Sequence, residues 1–364
     1  MEKFAFIIHP LEARTDAARK YPVARYLPER TVEWFLKFKD PMMVSHITGV
    51  RSITGAEAEG WFIGCPLSAR QMMSLPVDYV LDKIIQAARR AQEVGAGIVG
   101  LGAFTSVVGD GGITIARNVD IAVTTGNSYT IATGIEGTLR AAPMMGIDLT
   151  QAKAAVVGAA GSIGRTCARL LSREVPEIHL VDLHLEPLNK AAAEVSAESN
   201  AVVRVFTEVH TGVKDADIIL TATSAVCAVI HPADLRPGAV VCDIARPRDV
   251  STRVARERDD VLVIDGGVVA VPGDVEFNFN FGFPAKTAYA CMSETMALAL
   301  EGRYENFTLG KEISVEQVEE ISALAAKHGF TLAGFRSFEK AMTEEQIQRT
   351  RANAERRLAC GAAT

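Results

Sequence analysis

The chain has 364 residues, of which 48% are apolar, enough for two compact units around sizeable cores. The net charge of −6 argues against nonspecific binding to nucleic acid, so no nucleic-acid partner is expected. No run of about 18 apolar residues occurs, and we therefore predict no transmembrane segment. The apolar stretch after Lys3 is too short for a signal peptide, so a cytoplasmic location is expected.

Six cysteines occur singly along the chain, without the CxxC or Cys/His pairs of metal sites. We therefore predict no metal. Without an export signal, a disulfide framework is not expected either, and the cysteines should be thiols. The remaining question is whether one of them is reactive.

Residues 1–150 are predicted to form an N-terminal α/β domain that binds substrate. The apolar run Phe4–Ile8 and the segment 98–104 (IVGLGAF) are typical of buried strands, and Val77–Gly95 has helical periodicity. Ser52–Gly64 is rich in Ser and Gly and is interpreted as turns. Two further loops are predicted at GDGG (109–112) and TTGNS (124–128).

Residues 151–284 alternate between short strands and helices, which predicts a Rossmann-type, doubly wound parallel sheet in an α/β fold. The predicted strands are Lys153–Val157, Ile178–Asp182, Val202–Phe206, Ile218–Ala222, Val240–Ile244 and Val261–Ile264, with helices at Ser162–Ser172 and Glu186–Ser196. A C-terminal helical segment (285–336) follows, with helices over Lys286–Glu301 and Val315–Lys327. The remainder, 337–364, is predicted to be a charged helical tail.

The sequence KAAVVGAAGSIGRTCARLL predicts a dinucleotide site, because its glycines lie between a strand and a helix. Gly158 suits the tight turn, Gly161 the approach of the pyrophosphate, and Gly164 close packing of helix on strand. Ser162 and Ile163 begin the helix and would offer backbone N–H groups to the phosphates.

Asp182 ends the second strand, where an acidic residue hydrogen-bonds the ribose of NADH and repels the 2′-phosphate of NADPH. His184 or Lys190 could offset that charge, so NADH and NADPH both remain open. Two loops at the ends of later strands are expected in the same site, and they contain Thr223, Ser224, Gly266 and Gly267.

Cys291 is the first candidate nucleophile, because it lies near the start of a predicted helix and close to Lys286. Both features lower the pKa of a thiol. A thiolate beside a nicotinamide suggests attack on a thioester, followed by hydride transfer to give an aldehyde. Cys227, in a loop near the expected nicotinamide, is a competitor, and a buried helix cysteine is the alternative for Cys291.

The stretch 288–330 (AYACMSETMALALEGRYENFTLGKEISVEQVEEISALAAKHGF) resembles the C-terminal region of long-chain acyl-[acyl-carrier-protein] reductases, which form fatty aldehydes. Collinear matches are LGAFTS (101–106), TTGN (124–127), GIDLTQAKAAVVGAAGSIG (146–164) and GGVV (266–269). The resemblance extends from Phe4 to about Phe330.

The resemblance implies that Cys291 is the acylated residue and that His9 polarises the thioester carbonyl or protonates the leaving thiol. The alternative for His9 is that it only caps the first strand. It also implies a substrate site in the matching loops, at Phe104, Thr105, Ser106, Thr125, Gly126 and Asn127. The implied substrate is a thioester of acyl carrier protein or coenzyme A. A partner that consumes the aldehyde and weak membrane contact are further implications.

The chain departs from the family in two places. The arginine that accompanies NADPH in the family is replaced by Asp182-Leu183-His184, and the segment 270–286, before Cys291, differs in sequence. Two rival functions are a dehydrogenase of shikimate type without covalent catalysis and a non-catalytic Rossmann protein that senses the cofactor. The first would need a lysine–aspartate pair in residues 1–150.

Overall fold

The structure is a computed structural model that describes residues 1–10 and 12–361. These residues form two compact units. The first unit comprises Met1–Tyr129, Val269–Glu312 and Glu320–Thr331, and the second comprises Thr130–Val268, Ile313–Glu319 and 332–361.

Strands and short helices alternate along most of the chain. The strands are β1 (Glu2–Ile8), β2 (Met42–Arg51), β3 (Glu57–Gly64), β4 (Ile98–Leu101), β5 (Ala122–Thr124), β6 (Lys153–Val157), β7 (Glu177–Val181), β8 (Val202–Phe206), β9 (Ile218–Thr221), β10 (Val240–Asp243), β11 (Leu262–Asp265), β12 (Val268–Ala270), β13 (Gly273–Glu276), β14 (Thr287–Tyr289), β15 (Thr331–Leu332), β16 (Arg336–Ser337) and β17 (Lys340–Ala341). The helices are α1 (Ala13–Lys20), α2 (Glu29–Lys37), α3 (Ala69–Ser74), α4 (Val77–Glu93), α5 (Phe104–Val107), α6 (Ile113–Ala116), α7 (Asn127–Met144), α8 (Ser162–Leu171), α9 (Leu185–Glu198), α10 (Val209–Val213), α11 (Thr252–Glu257), α12 (Ala290–Leu300), α13 (Val315–His328) and α14 (Glu344–Gly361). Pro22–Tyr26 and Pro232–Asp234 form 3-10 turns.

The second unit is built on a parallel sheet with the strand order β11-β10-β9-β6-β7-β8. In chain order this is 3-2-1-4-5-6, the arrangement of a Rossmann fold. Both faces of the sheet are covered: along β6, Ala154 and Val156 belong to one apolar core, and Ala155 and Val157 belong to another. The predicted doubly wound α/β fold is confirmed.

The first unit contains a six-stranded sheet with the order β13-β2-β3-β1-β4-β5. The strands β3, β1, β4 and β5 are parallel, whereas β2 runs antiparallel to β3 and β13 runs antiparallel to β2. Ala5 and Ile7 of β1 enter the core that α4 covers. On the other face α12 lies close to β4, because a Cβ atom on Gly100 would come within 2.0 Å of Thr295 Oγ1.

The division into units differs from the predicted segments. Residues 285–312 belong to the first unit instead of forming an independent helical segment. The reason is that β13 pairs with β2 and that α12 packs against β1 and β4. The predicted helical tail contains α14, and Ile347 of this helix is only 1% exposed and belongs to the core of the second unit.

Three local predictions are wrong. Glu57–Gly64, predicted as turns, is the strand β3, in which Gly60 leaves room for the ring of Phe4. Phe104, predicted at the end of a strand, begins a short helix. The helix predicted from Lys286 begins at Ala290, because Lys286 has a φ of 59°, which right-handed helix does not allow.

Among the described residues, no helix is both long and apolar enough to cross a bilayer.

Candidate active site

Three loops of the first unit meet at one edge of its sheet. They follow β1, β4 and β5, which are parallel neighbours in register, with Ile7 opposite Leu101 and Gly100 opposite Thr124. Because parallel strands end on the same side, this edge places together the loops that carry the predicted site residues. Those residues are His9, Phe104, Thr105, Ser106, Thr125, Gly126 and Asn127.

Cys291 lies at the same edge, against the loop after β5. It is the second residue of α12 and is partly exposed. Gly126 packs directly on it, since a Cβ atom at Gly126 would lie 2.3 Å from both Cα and Cβ of Cys291. Gly126 also has a φ of 74°, which favours glycine. Cys291 and the TTGN loop therefore form one local structure.

The buried side chain of Glu294 stabilises that structure through hydrogen bonds. Its carboxyl group is fully buried one turn after Cys291 and accepts hydrogen bonds from the Thr124 hydroxyl and, at 2.9 Å, from the Tyr129 N–H. Burial raises the pKa of Glu294 despite these hydrogen bonds. The carboxyl group thus holds both ends of the loop that contains Gly126.

The sequence analysis did not identify Glu294 as a site residue, although a signal was present. In α12, ACMSETMALAL, it is the single charged residue of an otherwise apolar helix. A buried carboxyl group needs hydrogen-bond partners, so its position predicts a polar contact inside the fold.

The other cysteines have less suitable environments. Cys65, Cys167 and Cys242 are buried, and burial raises the pKa of Cys65 and of Cys242 to about 12. The pKa of Cys167 is also raised by burial. Thiols with such values remain protonated at neutral pH and are poor nucleophiles. Cys227 and Cys360, both exposed, lie in the second unit.

His9 is engaged by the neighbouring loop. The Phe104 N–H donates to His9 Nε2 at 3.2 Å, and His9 Nδ1 lies 3.1 Å from the Pro10 carbonyl oxygen. This pattern assigns the proton to Nδ1, and burial lowers the pKa of the ring, which favours the neutral form. Proton donation from Nε2 would first require the Phe104 N–H to move away.

The remaining predicted substrate residues differ in accessibility. The hydroxyls of Thr105 and Ser106 donate within their own loop, to the carbonyls of Gly102 (2.8 Å) and Ala103 (2.7 Å). Thr125 Oγ1 donates to the Thr308 carbonyl at 2.6 Å. Phe104, Thr105, Ser106, Thr125 and Gly126 are buried, and Asn127 is partly exposed.

Lys286, expected to assist Cys291, has a different partner. Its ammonium group lies 2.7 Å from Asp274 Oδ1, and this ion pair raises the pKa of Lys286. The start of α12 is a source of positive potential at Cys291, and Tyr289 provides no side-chain cap to its first N–H groups.

The glycine turn of the second unit has the geometry that a dinucleotide requires. Gly158 has a φ of 83°, and a Cβ atom on Gly164 would lie 2.1 Å from the Gly158 carbonyl oxygen. Gly161 is exposed and, as the N-cap of α8, supplies no side chain to cover the N–H groups of Ser162 and Ile163. These features would suit the pyrophosphate of a nicotinamide dinucleotide, and the residues of the binding site stay a prediction.

Asp182 lies at the end of β7, beside this turn. Its carboxylate accepts hydrogen bonds from the Ala160 N–H at 3.2 Å and from the His184 N–H at 3.1 Å, and it remains partly exposed. This position suits a ribose hydroxyl and leaves the choice between NADH and NADPH open.

Most of the predicted residues in the two later loops have contacts that stabilise the second unit. Thr223 donates through its N–H (2.9 Å) and its hydroxyl to the buried carboxylate of Asp249. Ser224, next to it, is exposed. Gly266 avoids a clash with Ile244, and with Gly267 it lines a small pocket of the second unit.

Within the described residues, no group of three His, Cys, Asp or Glu side chains could hold a metal ion.

Comparison with known proteins gives one family match and two sequence relatives. Residues 140–266, less than half of the chain, match the shikimate / quinate 5-dehydrogenase family model. The chain is 29% identical to a long-chain acyl-[acyl-carrier-protein] reductase of Synechococcus elongatus, over 88% of this chain and 95% of that protein. It is 30% identical to the aminotransferase PigE of a Serratia species, over 95% of this chain but only 41% of PigE.

Solved structures are more distant. L-tryptophan dehydrogenase from Nostoc punctiforme is 14% identical, aligns with 100% of this chain and 90% of its own, and has a TM-score of 0.41. A score of this size is too low to support a functional comparison. The match to the dehydrogenase family model and the similarity to a reductase support an oxidoreductase that uses NADH or NADPH.

Proposed function

We propose that the chain reduces a fatty acyl thioester, carried by acyl carrier protein or coenzyme A, to a fatty aldehyde through an acyl-enzyme on Cys291. The observation that carries the proposal is the position of Cys291, partly exposed in the first turn of α12 and packed on Gly126. The similarity to the acyl-[acyl-carrier-protein] reductase of Synechococcus elongatus supports the choice of substrate.

In the first half-reaction, the Cys291 thiolate attacks the thioester carbonyl. The carrier thiolate departs and takes a proton, and the acyl group remains on Cys291 Sγ. N–H groups at the start of α12 stabilise the oxyanion of the tetrahedral intermediate. Glu294 acts as a positioning residue, because it holds the loop against which Cys291 packs.

In the second half-reaction, the acyl carbon on Cys291 would accept the hydride that a nicotinamide dinucleotide, when bound, would supply. The resulting hemithioacetal collapses, the aldehyde leaves, and Cys291 returns as the thiolate. Gly158, Gly161, Ser162, Ile163, Gly164 and Asp182 would hold the dinucleotide, with Thr223, Ser224, Gly266 and Gly267 in the neighbouring loops. His9 would orient the loop of Phe104 beside the thioester.

The test is acylation without cofactor. The protein is incubated with hexadecanoyl-acyl carrier protein or hexadecanoyl-coenzyme A, and the adduct is located by peptide mass. We expect one acyl group on Cys291 and none in Cys291→Ala, and subsequent addition of NADH or NADPH should release hexadecanal. An adduct on Cys227, or no adduct, would contradict the mechanism.

The match of residues 140–266 to the shikimate / quinate 5-dehydrogenase model keeps a second candidate function open: oxidoreduction without an acyl-enzyme. A dehydrogenase of this type would need a lysine–aspartate pair, and among the described residues of 1–150 such a pair is formed by Lys83 and Asp40, at a long distance. Lys83 Nζ lies 3.7 Å from Asp40 and is already bound to the Lys39 carbonyl at 3.0 Å. A dehydrogenase of this type would turn over with Cys291→Ala, and a cofactor-sensing protein would bind the dinucleotide without turnover.

The proposed partners follow from the substrate. Acyl carrier protein is acidic and would need a basic surface. Arg89 and Arg90 are exposed on α4, although Arg90 is paired with Glu93, whereas Lys83 is buried and Arg70 is paired with Glu33. The proposal also includes a cytoplasmic location, weak contact of the protein with membranes, and an enzyme that consumes the reactive aldehyde.

A further inference from the structure

Six aromatic side chains of the first unit form a continuous cluster that leads to the start of α12. We call it the aromatic cluster, and it consists of Phe62, Phe277, Phe279, Phe281, Phe283 and Tyr289. Five of the six rings come from one short segment, 277–289, in which aromatic residues alternate with Asn and Gly. The cluster therefore belongs almost entirely to the chain that immediately precedes Cys291.

One end of the cluster is anchored in the core. Phe62 of β3 and Phe277 are buried and stack with their ring centroids 5.9 Å apart. The backbone of the segment is attached to β2, because Ser45 Oγ donates to the Phe277 carbonyl at 2.8 Å and Asn278 Nδ2 donates to the His46 carbonyl at 2.9 Å. These contacts hold the segment in place without a ligand.

The other end is accessible. Phe279, Phe281, Phe283 and Tyr289 are each only partly buried. Ring contacts continue from Phe281 to Phe283 at 5.5 Å and from Phe283 to Tyr289 at 4.4 Å. The segment from Phe277 to Pro284 contains no charged residue. The result is a fixed apolar surface, partly open to water.

The accessible surface ends beside Cys291. Tyr289 is the N-cap of α12, and Cys291 follows two residues later. Two residues span at most about 7 Å, so the Cα atoms of Tyr289 and Cys291 lie within about that distance of each other. An acyl chain attached to Cys291 Sγ has to leave the sulfur along an adjacent surface, and this surface is apolar.

We propose that the partly exposed rings of the aromatic cluster bind the hydrocarbon tail of the acyl group, so that Phe281 and Phe283 set how acylation of Cys291 depends on chain length. This inference rests on the proposed acyl-enzyme at Cys291. Each methylene group that leaves water for an apolar surface gains free energy, so a longer tail lying on the rings binds more tightly than a short one. Aromatic side chains supply such area with little loss of conformational freedom.

The test measures how acylation depends on chain length. Butyryl, octanoyl and dodecanoyl thioesters of pantetheine, the group common to both carriers, are reacted with the protein, and the rate of Cys291 acylation is followed by intact mass. We expect the second-order rate constant to rise with chain length. Phe281→Ala and Phe283→Ala should lower the dodecanoyl rate constant about tenfold and change the butyryl rate constant less than about twofold.

Two controls separate binding of the tail from damage to the fold. Phe283→Leu keeps an apolar side chain of similar size and should retain most of the chain-length preference. Phe35→Ala removes an exposed ring of the same unit outside the cluster and should have no effect.

The outcomes are distinguishable. If the variants lower the butyryl and dodecanoyl rate constants equally, the rings only support Cys291 and the inference is overturned. Equal wild-type rate constants for all three chains overturn it as well. If no thioester of any length acylates Cys291, the proposed function itself has failed.

Discussion

Two features favour glycine at position 126. Its φ is 74°, and an added Cβ atom would lie only 2.3 Å from Cys291. Gly126→Ala should therefore displace Cys291 as well as strain the loop. A displacement of about 1 Å at a reacting group can lower a rate about 100-fold, and we expect a loss of that order in the rate constant for Cys291 acylation.

Gly55→Ala is the matched control for Gly126→Ala. Gly55 has a φ of 92° in the same unit, but a Cβ atom there would meet nothing within 4 Å. It should cost about 1 kcal/mol of unfolding free energy, as an L residue does at positive φ, and leave acylation unchanged. Equal acylation rates in the two variants would show that contact with Cys291 is not the reason for the glycine.

At the level of elements, we expect two glycines of the turn before α8 to have different roles. Gly164 should serve the packing of the turn, and Gly161 should serve ligand binding. A Cβ atom on Gly164 would lie 2.1 Å from the Gly158 carbonyl oxygen, whereas on Gly161 the nearest atom is 3.3 Å away. Gly164→Ala should lower the unfolding free energy by about 3 kcal/mol. Gly161→Ala should cost less than about 1 kcal/mol but weaken dinucleotide binding at least about tenfold, because its methyl group lies where the pyrophosphate approaches.

Both variants are measured by chemical unfolding and by titration of NADH and NADPH fluorescence. Wild-type affinity in Gly161→Ala would show that the phosphates do not bind at this turn.

An element is predicted accurately from the sequence when the pattern that specifies it lies within the element itself. In the second unit, β6 and β8 begin and end at the predicted residues. For β6 the reason is that central parallel strands are continuous apolar runs bounded by turns. In the first unit, β3 was not predicted because Gly60 and Gly64 conceal its alternation, and Gly60 is needed only because the ring of Phe4 packs there. That requirement comes from a distant residue and cannot be deduced from a local window.

The same reasoning applies to the candidate site. Cys291 could be proposed from its place near a helix start and from a resemblance, both of which are features of the sequence. Its contact with Gly126 joins residues 165 positions apart in the sequence (291 − 126) and depends on how α12 packs on the sheet. The ion pair of Lys286 with Asp274 is equally non-local, and it removes the assistance that proximity in sequence suggested.

At the scale of the whole molecule, the proposed membrane contact has a structural basis in α2. Its inner face packs in a small core through Val32, while Trp34 and Phe35 are 58% and 55% exposed, and Phe38, which follows the helix, is 64% exposed. Lys37 lies 5.9 Å from the centre of the Phe38 ring. Exposed aromatic rings beside basic side chains are typical of helices that lie in the interface of an anionic bilayer.

The measurement is co-flotation with vesicles of mixed phosphatidylcholine and phosphatidylglycerol. The wild-type protein should float with them, and Trp34→Ser/Phe35→Ser/Phe38→Ser should lower the partition coefficient at least about tenfold, since three rings no longer enter the interface. Ile53→Ser, at a residue of the same unit that is 76% exposed, should float like the wild type. The emission of Trp34 in a Trp61→Phe background reports the contact directly, because transfer to the interface shifts it to shorter wavelength. An unchanged spectrum in the presence of vesicles would show that α2 does not enter the bilayer, whatever the flotation result, and a membrane-delivered substrate would then need another route to the protein.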